Sequence, residues 1–109
     1  MPQHLCSLSE LAEGQPIAVE VEIAGSSESL ILVRAADGVR AYLNICPHAG
    51  RRLDWAPGRF LLERGQLVCA AHGASFELAQ GLCMGGPCRG QSLRAVDVRI
   101  EGEDVVMAD

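Results

Sequence analysis

NICPHAGRRLDWAPGRFLLERGQLVCAAHGASFELAQGLCMGGPCRG, residues 44–90, decides how this chain is read. It holds two short signatures, Cys46-Pro47-His48 and Cys69-Ala70-Ala71-His72, and each joins one thiol to one imidazole. A turn-rich loop and an apolar run separate them. Two such loops side by side supply two sulfurs and two ring nitrogens.

That donor set suits two kinds of metal site. A single Zn²⁺ takes a tetrahedral Cys₂His₂ set. A Rieske [2Fe–2S] centre places Cys₂ on one iron and His₂ on the other. Zinc pairs usually keep like with like, two Cys on a knuckle and two His on a helix turn. Here each pair is mixed, as it is when two loops each reach both irons. Gly73 follows His72 directly, and Gly86-Pro87 lies beyond the second signature. On these residues the chain resembles the soluble bacterial Rieske ferredoxins, whose pattern is C-x-H, a spacer, C-x-x-H and a proline-bearing third loop. The likeness runs from about Ile45 to Gly90. A zinc-stabilised Cys₂His₂ module without a redox role is the rival on the same residues.

The resemblance implies one [2Fe–2S] cluster, with Cys46 and Cys69 as thiolate ligands of one iron and His48 and His72 as imidazole ligands of the other. Pro47 would fix its own φ and restrict Cys46. Gly50, Gly73 and Gly86 would let backbone approach the sulfides and donate N–H groups, while Leu53 and Pro87 match positions that shield the cluster. High-potential relatives carry a serine two residues after the second His and a tyrosine four after it; Ala74 and Phe76 stand there. They also carry a disulfide between the ligand loops, at positions occupied here by Arg51 and Ala71.

Outward from this stretch, the pattern is that of an all-β chain. Ile17, Val19, Val21 and Ile23 alternate with Ala18, Glu20 and Glu22, the period of a half-buried strand. Gly25-Ser26-Ser27 breaks it. Leu30–Val33 and Val39–Leu43 flank Asp37-Gly38, a hairpin signal that leads into Cys46. Phe60–Leu62 and Gln66–Val68 bracket Glu63-Arg64-Gly65 and lead into Cys69. Phe76–Leu78, Val96–Ile100 and Val105–Met107 are further short strands. Ser7 and Glu10 suggest a capping box on one helical turn. The expectation is one domain over residues 1–109, a small antiparallel sandwich or barrel, with a Rieske cluster-binding subdomain at about 45–90.

Composition narrows the function. The formal charge is −5, and all nine basic residues are arginine. A nucleic-acid or membrane-surface partner needs a basic face, which this balance does not supply. No membrane span or signal peptide is evident, so a soluble cytoplasmic protein is expected. Residues 45–92 carry five arginines against three acids, +2, and the rest four against eleven, −7. A carrier polarised in this way would dock its cluster end on an acidic patch; the alternative is a solvated face with local ion pairs. Cys6, Cys83 and Cys88 are expected to stay thiols, with a Cys83–Cys88 bridge as the alternative. Trp55, Phe60 and Phe76 read as packing residues, and His4 as a solvated terminal residue. With His4 the sole further histidine, a catalytic mononuclear iron site is not expected. The resemblance therefore implies a one-electron carrier between a flavin- or NAD(P)H-linked reductase and a terminal oxygenase or similar enzyme. An accessory small subunit of a larger redox enzyme, such as nitrite reductase, is the alternative.

Overall fold

The structure, a computed structural model, describes residues 3–12, 14–35, 38–45, 52–54, 56, 59–63, 65–69, 73–78, 80–85 and 91–107. Along them run β1 (Gln3–Ser7), a 3₁₀ turn (Leu8–Glu10), β2 (Ile17–Ile23), β3 (Ser26–Ala35), β4 (Gly38–Leu43), β5 (Leu61–Glu63), β6 (Gln66–Val68), β7 (Ser75–Glu77), β8 (Cys83–Gly85), β9 (Val98–Glu101) and β10 (Asp104–Met107). The described strands form three sheets, ordered β1-β10-β9, β2-β3-β4 and β5-β6-β7-β8. Every pairing among these described strands is antiparallel. The all-β antiparallel architecture expected from the alternation is the one observed.

The run Leu30–Val33 makes β3 the central strand. Neighbouring side chains of a strand point to opposite faces, so four consecutive apolar residues need cover on both sides. They have it. Ile31 and Val33 join a core with Tyr42, Leu53, Leu67, Cys69 and Phe76. Leu32 joins a second core with Cys6, Leu11, Ala41 and Val105. The middle sheet therefore packs the terminal sheet on one face and the four-stranded sheet on the other.

The structure sharpens several local expectations. The β2–β3 turn is tighter than Gly25-Ser26-Ser27 suggested, because Ile23 pairs with Ser26 and both serines belong to β3. Ala24 (φ 52°) and Gly25 (φ 83°) make the turn, the left-handed pair that a two-residue hairpin demands. The β3–β4 hairpin forms, with Gly38 paired to Ala35, and Asp37 lies outside the described residues. Ser7 N–H donates to the Glu10 carboxylate at 2.7 Å, as the capping signature implied. β1 and β8 had no sequence signal. His4, read as merely solvated, lies exposed on β1 with Nε2 3.2 Å from Asp104 Oδ1.

One side chain ties the middle sheet to the four-stranded sheet. Tyr42 of β4 is 3% exposed, and its hydroxyl donates to the Leu78 carbonyl at 2.7 Å, just past β7. Burial pushes the phenol up to about 12; Arg40 opposes the shift and Glu77 adds to it. Only the neutral phenol can donate this bond. Its stabilising effect is complete below the ordinary value near 10 and is lost as pH rises from 10 to about 12. Tyr42→Phe is therefore expected to cost about 1 kcal/mol at neutral pH. Its melting temperature should fall less steeply than wild type across that alkaline window. Parallel pH–melting curves for the two proteins would rule the linkage out.

Candidate metal centre

Cys46, Pro47, His48, Gly50, His72, Gly86 and Pro87 lie outside the described residues, as do Trp55 and Cys88. Leu53, Cys69, Gly73, Ala74 and Phe76 lie within them. These five show what the surrounding fold does at the candidate centre.

The second signature begins where β6 ends. Cys69 is fully buried, and its N–H donates to the Ala74 carbonyl at 2.7 Å. Gly73 N–H returns to the Cys69 carbonyl at 2.8 Å. These two bonds tie Gly73 and Ala74 back to Cys69 just before β7 starts. Gly73 makes the reversal at φ 74°, where a side chain is disfavoured. Its amide hydrogen points at the Cys69 carbonyl. Ala74 and Phe76 are both completely buried and offer no hydroxyl.

The other loops are anchored to the same core. Leu53, just beyond the first signature, is fully buried in one cluster with Cys69, Ala74, Phe76 and Cys83. Phe60 packs against that cluster, as a packing residue should. The chain on either side of 84–90 is stitched by Cys83 N–H to Gln91 O and Leu93 N–H to Gly81 O, both 2.8 Å, and by a Leu82–Ser92 bridge. One apolar core therefore takes in at least one end of each of the three loops.

Sequence reasoning missed Asn44. It is the buried polar residue of the described set, 1% exposed, placed directly after β4. Its Oδ1 accepts from Leu53 N–H at 2.9 Å, and its Nδ2 donates to Ser29 Oγ at 3.3 Å. Its position two residues before Cys46 was visible, but its burial was not. Nearby, Arg52 grips Asp54 through two bonds of 3.0 and 2.8 Å. The Asp54 carboxylate is 2% exposed, and hydrogen bonding to it raises Arg52 further above its ordinary value. Arg51, Arg64 and Arg89, three members of the basic end, lie outside the described residues.

The donor chemistry fits an iron–sulfur group. Cys69 is fully buried, and a thiolate taken out of water needs a compensating partner such as a metal ion. Cys6, also buried, sits in the other core, where burial and then Glu10 push its thiol up. The thiol of Cys83 donates to the Gly85 carbonyl at 3.2 Å.

Comparison with known proteins agrees. The family model for the Rieske [2Fe-2S] domain matches residues 1–105. Over 81 residues, 73% of the chain, it is 36% identical to the carnitine monooxygenase oxygenase subunit of Escherichia coli K12, and spans 20% of that subunit's length. The ferredoxin of carbazole 1,9a-dioxygenase from Nocardioides aromaticivorans IC177 is similar over 99% of this chain and 97% of its own. Its TM-score is 0.74 at 30% identity. The Sphingomonas yanoikuyae B1 ferredoxin shares the fold, with TM-score 0.76 at 23% identity over 100% of this chain and 99% of that one.

Proposed function

The chain belongs to the Rieske [2Fe–2S] domain family, and on that premise we propose that it is a ferredoxin whose residues 1–109 act as one carrier unit. It takes one electron at a time from a flavin- or NAD(P)H-linked reductase and delivers it to a terminal oxygenase or a similar oxidoreductase. Cys46 and Cys69 hold one iron and His48 and His72 the other. Bound there, the cluster supplies reversible one-electron chemistry. Leu53, Ala74 and Phe76 keep water from the protein side, and the chain performs no bond-making step of its own. The protein works in the cytoplasm, with neither nucleic acid nor membrane as a partner.

The observation that carries this reading is the convergence of an end of each loop on one core, with Cys69 fully buried in it. The likeness to a ferredoxin of an oxygenase system over almost the whole of both chains supports the carrier role. Anaerobically purified protein should be red-brown and give a rhombic EPR signal on one-electron reduction. The reduced form should reoxidise on mixing with an oxygenase. Colourless protein containing zinc would refute the reading, and co-purification with a siroheme or flavin enzyme would reassign the chain as an accessory subunit.

Ala74 and Phe76 predict the potential. Without hydroxyls, neither side chain can hydrogen-bond a sulfide or ligand sulfur, so the more negative reduced cluster gains no stabilisation from them. The midpoint should fall nearer about −150 mV than +300 mV. A clearly positive value by voltammetry would defeat this.

A further inference from the structure

The described ends of the two signatures are fastened by bonds of different kinds. Cys69 is joined to Gly73 and Ala74 through backbone bonds. The segment 45–52, which carries Cys46 and His48 in sequence, is bracketed by Asn44 and Leu53, and these meet through a side chain. We propose that Asn44 is the positioning residue of the first ligand loop, tying both of its ends to the central strand so that its thiolate and imidazole are presented together. The proposal rests on the cluster reading above and adds a residue that reading does not need.

The bonds define the device. Leu53 N–H can only donate, so the side-chain oxygen of Asn44 must face it, and Nδ2 is left for Ser29 Oγ. The Asn44 N–H also donates to the Ser29 carbonyl at 2.9 Å. Ser29 lies on β3, so the loop is fastened to the best-packed strand of the fold. Asn44 and Leu53 are 1% and 0% exposed. Water cannot readily replace the Asn44 oxygen there, and a lost acceptor leaves a buried donor unmet. Ligand loops need such outer support because the bound group rewards only a preformed arrangement.

Asn44→Leu keeps the volume and removes the acceptor. Asn44→Asp keeps an acceptor for Leu53 N–H, and the Ser29 hydroxyl can turn to donate to it. Both are made in the full chain and loaded with iron and sulfide. Read-outs are iron release to a chelator, the EPR g-values of the reduced protein, and melting temperature. Asn44→Leu is expected to release iron about 10–100-fold faster, with displaced g-values, whereas Asn44→Asp stays near wild type in both. If Asn44→Leu does not fold, Asn44→Ser, too short to reach Leu53, is read in the same way. Unchanged release and g-values in the leucine variant, even with a lower melting temperature, would make Asn44 a stability residue only and overturn the proposal. So would an aspartate variant as leaky as the leucine one. A wild type without iron would overturn the cluster reading and this proposal together; a loaded wild type that Asn44→Leu matches overturns this proposal alone.

Discussion

Cys69→Ala is expected to yield a folded, colourless protein with no iron, no acid-labile sulfide and no visible absorption. Removing the sulfur takes away one of four proposed ligands, at a position fully buried in the core. The remaining donors cannot make up a Cys₂His₂ set. The substitution itself is small: Cys and Ala are both compact, and the Cys69 N–H···O Ala74 bond is backbone and survives. Far-UV circular dichroism should therefore keep its β character while the chromophore is lost. Cys6→Ala and Cys83→Ala are the controls, since both thiols are equally hidden, 3% exposed, and neither belongs to a signature. Both variants should retain colour. Burial alone would predict the same result for all three. If Cys6→Ala or Cys83→Ala bleaches the protein and Cys69→Ala does not, the ligand assignment falls.

Gly81→Ala should be the most damaging small change outside the signatures. Gly81 has φ +72°, and a Cβ there would stand 2.8 Å from the Tyr42 ring and 3.3 Å from Leu93 Cβ. Two costs coincide. The left-handed backbone penalises any side chain by roughly 1–2 kcal/mol, and a new carbon in a filled core adds about 1–3 kcal/mol. Neither neighbour can give way easily. Tyr42 is held by its bond to Leu78, while Gly81 itself is fastened by its N–H to Glu77 O and its carbonyl to Leu93 N–H. A combined loss of about 3 kcal/mol would lower the melting temperature by roughly 12–24 °C in a domain of this size. Gly102→Ala separates the terms: its φ is +65°, but nothing lies within 4 Å of the added carbon. It should show the backbone cost alone. Equal melting temperatures for the two variants would mean that the Tyr42 contact is not tight.

These expectations differ in how far they could be seen from the residues in order. Alternation at Ile17–Ile23 and the apolar run at Leu30–Val33 announced strands because a strand's period of two is written in consecutive residues. The hairpin leading to Cys46 was legible for the same reason. β1 and β8 were not, because each is a strand through pairing with a distant or bulged neighbour. Aromatic residues showed the same divide: Phe76 could be recognised as a packing residue, yet only its row with Leu67 and Cys83 explains why it is completely covered.

By itself the sequence determined the fold class and supplied the proposed donor set, since a two-residue period and mixed Cys/His pairs are properties of adjacent residues. Tertiary structure decided which element braces each loop: Asn44 reaching Leu53, Tyr42 filling the space above Gly81, Cys69 buried while Gly73 turns the chain. Those outcomes depend on groups brought together across the sheets, and a bond between residues 42 and 78 leaves no mark on the neighbours of either.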